Sequence, residues 1–383
     1  MTITAPRGFR AAGVTAGLKV SGKPDVALVV NEGPSDVAAA VFTTNRCKAN
    51  PVLWSERVLD DGRARAVVLN SGGANCYTGP QGFQNTHSAA EQVAARLDLG
   101  AVEVVVCSTG LIGEQLEADK LRTGIDAAVD ALSADGGPAA AEAIMTTDTR
   151  PKEAVRQGNG FTIGGIAKGA GMLAPALATM LVVLTTDADV DQATADAALR
   201  EATRLTFDRL DSDGCMSTND TVVLLCSGSS GVKPGPNEFG ELLRDLCHDL
   251  AQQLLGDAEG ADHDIAIEVV NAATEQDAVN VGRAIARSNL FKTAVFGKDP
   301  NWGRILASVG TTDAVFEPDR LDVAFNGVWV CRNGEPGESR DKVDLNPREV
   351  TVTVDLKAGL AAATIWTNDL THAYVHENSA YST

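Results

Sequence analysis

The stretch Lys168-Gly-Ala-Gly-Met-Leu-Ala-Pro-Ala-Leu-Ala-Thr179-Met-Leu-Val-Val-Leu-Thr-Thr-Asp187 constrains this chain more than any other. A loop of small residues runs into the apolar segment 180–184, which predicts a short strand. Gly169-Ala-Gly171-Met-Leu-Ala174 fits the looser Gly-x-Gly-x-x-Ala dinucleotide fingerprint, and Asp187 and Asp189 lie near the distance expected of its ribose-binding acid. That fingerprint must open a helix. Here Pro175 follows at once and the next regular element is β, so the match is weak.

The residue at the junction of loop and strand is Thr179, preceded by Ala178. A β-branched residue starting a strand is ordinary, and pattern alone favours that structural reading. The alternative gives Thr179 a reaction. Its hydroxyl attacks the Ala178 carbonyl, the peptide becomes an ester, and water releases it; Ala176 and Ala178 are small enough for the tight backbone this needs. The new α-amine, with an unperturbed pKa of roughly 7.7 to 8.0, can then act as base toward its own hydroxyl.

Composition removes several classes. A chain of 383 residues exceeds the size of most single cores, so two or three structural regions are expected. With 44% hydrophobic and 22% charged residues, wholesale disorder and a fibrous architecture are excluded. A net charge of -19 without any basic block repels a nucleic-acid backbone. The longest nearly apolar run, 172–184, is too short for a membrane span and is interrupted by Pro175 and Thr179. The first residues lack the pattern of a signal or transit peptide, which sets a cytoplasmic expectation. Seven scattered cysteines argue for reduced, mostly buried thiols rather than disulfides or zinc.

Strand-like runs at 66–70 and 102–107 alternate with a helical pattern at 88–97. Asp191 can cap a helix carrying Ala198, Leu199, Ala202 and Leu205 and reaching about Leu210. The Ser-, Gly- and Pro-rich segment 227–237 connects elements. Phe239, Leu242, Leu243, Leu246, Leu250 and Leu254 form one buried helical stripe that Gly256 stops. A strand at 265–270 leads to the capping-box-like Thr274-Glu-Gln-Asp277 and a helix to about Ser288, after which 322–331, 349–356 and 361–366 read as strands. The total is α/β with antiparallel or mixed sheets; a doubly wound parallel sheet needs a steadier strand-helix rhythm.

Several motifs follow one another along the chain: Asn70-Ser-Gly-Gly-Ala-Asn75, Cys107-Ser-Thr-Gly-Leu-Ile-Gly113, Ile144-Met-Thr-Thr-Asp148, the 168–181 stretch, and Ser217-Thr-Asn-Asp-Thr221. Asp257-Ala-Glu-Gly260, Asp299-Pro-Asn-Trp-Gly-Arg304 and Tyr374-Val-His-Glu-Asn-Ser-Ala-Tyr381 complete the set. Over almost its whole length the chain resembles the ornithine acetyltransferase (ArgJ) family. The resemblance implies self-cleavage between Ala178 and Thr179, and acetyl transfer from N-acetylornithine to glutamate through an acetyl-threonine. It also implies cleaved halves that stay associated in an α2β2 heterotetramer, and no metal or bound cofactor. The family has members with and without acetyl-CoA as a donor, and no motif here decides between them.

The implied fold is a helix-sheet-sheet-helix catalytic core over 1–190 that includes the 178/179 bond, a helix-rich α+β region over 191–273, and a C-terminal α+β region over 274–383 completing the pocket. The resemblance makes Thr179 the nucleophile and places Thr109 and Gly110 in the oxyanion hole. Thr146, Lys168, Thr179, Glu259, Asn378 and Thr383 fall at substrate-contacting positions; Thr383 stands where the family commonly ends in Ser. Lys168 suits an α-carboxylate. Asn75 and Arg304 are further candidates to line the pocket. The five histidines have no ligand spacing, and Asp211, Asp213 and Asp220 lack that of a calcium loop. Two rivals remain open: hydrolysis of small amides by the same threonine, and an uncleaved binding protein for acidic amino acids.

Overall fold

The computed structural model describes residues 2–171 and 180–380. In its first part the strands are β1 (Phe9–Val14), β2 (Val26–Asn31), β3 (Val37–Phe42), β4 (Ala66–Asn70), β5 (Val104–Ser108), β6 (Lys152–Gln157), β7 (Thr162–Lys168), β8 (Leu181–Thr186) and β9 (Thr221–Cys226). The helices among them are α1 (Asn50–Val58), α2 (Gly79–Leu97), α3 (Ala118–Asp130), α4 (Gly137–Ala143), α5 (Gln192–Leu205) and α6 (Pro236–Leu255). The remainder holds β10 (Asp264–Ala272), β11 (Asp322–Phe325), β12 (Val328–Arg332), β13 (Glu335–Pro336), β14 (Glu349–Asp355) and β15 (Ala361–Asn368). With them come α7 (Glu275–Ala286), α8 (Asn289–Phe296), α9 (Trp302–Val309) and α10 (His372–Ala380).

Among the described residues three sheets result, in the orders β1-β2-β4-β5, β3-β9-β8-β7-β6 and β13-β12-β11-β14-β10-β15. Each is mixed: β4–β5, β8–β9 and β10–β14 are parallel, while the other pairs run antiparallel. The strand period of two builds the layers. Val26, Leu28, Val68 and Val106 face α2 and α3, whereas Ala27, Val29, Val67 and Val105 face the second sheet. In that sheet Leu181, Val183, Val223 and Leu225 look back at the first, and Val182, Leu184, Val222 and Leu224 pack on α5 and α6. The order is therefore helices, sheet, sheet, helices. The third sheet closes a separate core with α7, α8 and α9.

Local signals explain most boundaries. The Asp191 carboxylate accepts the Thr194 amide at 2.7 Å and starts α5; Thr274 accepts the Asp277 amide at 3.0 Å and starts α7. The helix expected to reach Leu210 stops at Leu205, and a single turn at 207–209 follows. The helix expected from 88 starts at Gly79, because its first two turns are polar yet buried, with Asn85 and Thr86 inside, and so carry no apolar period. The expected strand over 322–331 is a hairpin. Asn326 and Gly327 sit at φ 46 and 82, the left-handed pair of a two-residue turn matched to strand twist.

Two adjacent glycines in β7 let the layers close. A Cβ on Gly165 would lie 2.9 Å from Leu184 and Leu250 side-chain atoms, and one on Gly164 would lie 2.5 Å from the Thr2 carbonyl. Gly165→Val is expected to push α6 off the sheet and cost about 1–3 kcal/mol, read as a lower urea midpoint at unchanged m-value.

Candidate active site

The site lies where β5 and β7, one from each central sheet, come to their ends. Beyond β5 the chain turns through Thr109 and Gly110, with Gly110 at φ 130. A Cβ there would stand 2.8 Å from the Gly73 nitrogen, so only glycine permits this approach. The Thr109 amide donates to the Asn70 carbonyl, and the Gly73 amide donates to the Thr109 carbonyl, both at 3.0 Å. The turn is thereby locked to the exit of β4.

Lys168 ends β7 and is 1% exposed. Its Nζ donates to Thr109 Oγ1 at 3.3 Å. An ammonium can only donate, so the threonine oxygen serves as acceptor and its own proton is free to point into the cleft. Burial lowers the Lys168 pKa, while Asp148 opposes that shift.

Beneath lies a buried ion triad. Lys152, 0% exposed, donates to Asp148 and Asp257 at 2.6 Å each. Asp148 also accepts the Thr146 amide at 2.9 Å and the Gly169 amide at 2.7 Å. Burial would raise the Asp148 pKa, but Lys168, Lys152 and the Gly169 amide outweigh it and hold the carboxyl at about 2. Asp257 accepts from the Thr149 amide and hydroxyl. Two residues on, the Glu259 amide donates to the Ala170 carbonyl at 3.0 Å, and its carboxylate lies over Gly171.

The entry to β8 is pinned from the neighbouring strand. The Met180 amide donates to Asp220 Oδ1 at 3.0 Å, and the Met180 carbonyl accepts the Thr221 amide at 3.2 Å. Asp220 is wholly buried, and burial pushes its carboxyl well above the usual range despite the Met180 amide and Lys168.

These parts enclose a cleft of about 510 Å³ lined by Thr109, Gly110, Thr146, Lys168, Glu259 and Asn378, the last on exposed α10. Six of the residues expected from the sequence thus meet at one place. Ala178, Thr179 and Thr383 lie outside the described residues. Asn75 and Arg304 are not part of the lining. Asn75 donates to the Gly82 carbonyl and Thr86 hydroxyl at the start of α2, and Arg304 belongs to α9 in the third-sheet region. Sequence reading missed Lys152 and Lys19, which also lines the cleft; an isolated lysine in sequence reads as solvated, and only the fold buries it. Among the described residues no cluster of three or more His, Cys, Asp or Glu could hold a metal ion, and no helix is long and apolar enough to cross a membrane.

Fold and cleft together define a layered α/β protein with a cleft sized for a small molecule. The chain belongs to the ArgJ family, whose profile matches residues 10–383. It is 65% identical over 382 residues to the arginine biosynthesis bifunctional protein ArgJ of Streptomyces coelicolor, and 64% identical over 383 residues to the Thermobifida fusca protein of that name. In both cases 100% of each chain is covered. The solved ornithine acetyltransferase complexed with ornithine from Mycobacterium tuberculosis is 55% identical, with a TM-score of 0.45, over 47% of this chain and 96% of that one.

Lys152→Met leaves two buried carboxylates facing each other, and a loss of about 3–5 kcal/mol is expected in urea unfolding. Because the folded-state pKa of Asp148 is depressed, the stability it gives is complete above its ordinary 3.8 and is lost as pH falls toward about 2. Asp148→Asn is expected to flatten that acid limb in urea midpoints followed across this range.

Proposed function

We propose that this chain is a self-cleaving acyltransferase of arginine biosynthesis that moves acetyl from N-acetylornithine to glutamate through an ester on Thr179. The observation that carries the reading is the convergence of Thr109, Gly110, Thr146, Lys168, Glu259 and Asn378 on one cleft. Two further facts support it: full-length similarity to the named relatives, at 65% identity, and the firm hold on Met180, the residue after the expected nucleophile.

The first half-reaction begins with the Thr179 amine taking the hydroxyl proton as Oγ attacks the acetyl carbonyl of acetylornithine. The oxyanion receives hydrogen bonds from the Thr109 hydroxyl and the Gly110 amide, donors already held by the locked turn. Collapse breaks the C–N bond; the departing ornithine amine takes the proton from the Thr179 ammonium. Glutamate enters with its amine neutral and attacks the ester, the same donors hold the second oxyanion, and the Thr179 oxygen leaves and recovers a proton through its own amine. Lys168 orients the α-carboxylate that both amino acids share. Acetyl-CoA as a second donor belongs to the same proposal, in keeping with the word bifunctional in the relatives' names.

Cleavage would give chains of residues 1–178 and 179–383. Sheet order supports their remaining together: β8 and β9 from the second chain sit between β3 and β7 of the first in one hydrogen-bonded sheet. Pairing of two such units in the cytoplasm completes the proposal.

Intact mass of active wild type is expected to show the two chains, and Thr179→Ala one uncut chain with transfer reduced roughly 10⁴-fold or more. Full activity in an uncut protein would end the covalent account, and acetyl-enzyme that decays as fast without an amine as with one would make it an amidase. Thr109→Val removes one oxyanion donor, and kcat is expected to fall about 10²–10³-fold. Donor competition between acetylornithine and acetyl-CoA, with label trapped on the 179 peptide, tests the second donor.

A further inference from the structure

The cleft contains a second ammonium that the mechanism above leaves unused. Lys19 stands in the loop between β1 and β2, half-buried, on the wall of the same cleft as Lys168. Its Nζ donates to the carbonyls of Pro24 and Met145, both at 2.7 Å. An ammonium has three protons, so one donor remains after these two bonds.

The backbone beneath this head is also fixed. Asp25, wholly buried, accepts the amides of Ala16 and Leu18 at 2.6 Å and that of Lys19 at 3.0 Å. A lysine normally keeps about 2 kcal/mol of rotamer freedom in water. Here both ends are tied down, and burial pushes the ammonium down to about 8 against the pull of Asp25 and Asp148, with Lys168 adding to the fall. Immobilisation and desolvation oppose folding unless the held group meets something, and a pre-positioned donor lowers the cost of binding an anion.

Substrate chemistry indicates which anion. Donor and acceptor amino acids share an α-carboxylate and differ at the far end, where ornithine carries an ammonium and glutamate a carboxylate. Among the described residues the cleft is lined by two cations, Lys19 and Lys168. Lys168 touches Thr109, and in the reaction proposed above it takes the carboxylate next to the reacting amine in both half-reactions. Lys19 is then the cation left for a second carboxylate.

We propose that Lys19, positioned by Asp25, is the specificity-determining residue for an acidic acceptor and binds the side-chain carboxylate of glutamate. The inference rests on the transfer reaction proposed above for the identity of the acceptor, but its test does not require turnover.

Calorimetric titration of the purified full-length protein with L-glutamate and with L-glutamine compares a carboxylate with a neutral isostere. Wild type is expected to favour glutamate roughly 10- to 100-fold, the value of one charge-assisted hydrogen bond. Lys19→Gln is expected to bring that ratio close to one, and Lys19→Arg to restore part of it. The ratio cancels any general loss of binding-competent protein, and thermal melting of each variant checks that the fold persists. An unchanged preference in Lys19→Gln, or no preference in wild type, would overturn the assignment. Failure of acetyl transfer with the preference intact would count against the proposed reaction and leave Lys19 in its role.

Discussion

Everything at the site depends on Lys152 being held between Asp148 and Asp257. β6 ends no wall of the cleft itself, yet its first residue ties together the segments that do. Through Asp148 it sets the amides of Thr146 and Gly169 and, beside the latter, Lys168. Through Asp257 it sets Thr149 and the turn that presents Glu259. Removing three charges from water is expensive, and such a cluster is weak evidence for stability alone. Its return is geometric, since one buried cation gives three loops a common origin and places groups from distant parts of the chain within one cavity.

The two-sheet sandwich makes this arrangement possible. The locked turn comes from the first sheet and Lys168 from the second, and they meet because the alternating inward residues of β4, β5, β8 and β9 leave the two sheets packed face to face. Asn219 adds a tie across the layers, its Nδ2 donating to the Ala74 and Ser108 carbonyls at 2.6 and 2.8 Å. The Thr109-Gly110 turn is fixed by backbone hydrogen bonds at the ends of two packed sheets. Preorganisation of that kind is what electrostatic catalysis requires, because donors fixed beforehand need no reorganisation when charge develops.

Much of the fold was legible in the chain, for identifiable reasons. The α6 stripe, the Asp191 and Thr274 caps and the alternation in β14 are local signals, and local signals survive without tertiary information. The early start of α2 and the hairpin at Asn326-Gly327 escape the pattern: the first hides buried polar residues, and the second places a turn inside an apolar run. At the site, Thr109, Gly110, Lys168 and Glu259 were reachable through motifs resembling a family, not through periodicity. Lys152 and Lys19 had no such signal, because only three-dimensional packing distinguishes a lysine that is buried or clamped from one that is solvated.

Charge makes the same point at another scale. A net charge of -19 argues against a polyanionic partner, yet two lysines line the cleft. The two facts are compatible because screening confines surface charge to about 8 Å at physiological ionic strength, whereas charges inside a partly desolvated cavity are screened much less. Global composition governs which large partners approach; the few charges that the fold takes out of water govern which small molecules stay. For this chain Lys19 lies in the field of Asp25 and Asp148, and Lys168 in that of Asp148 and Glu259.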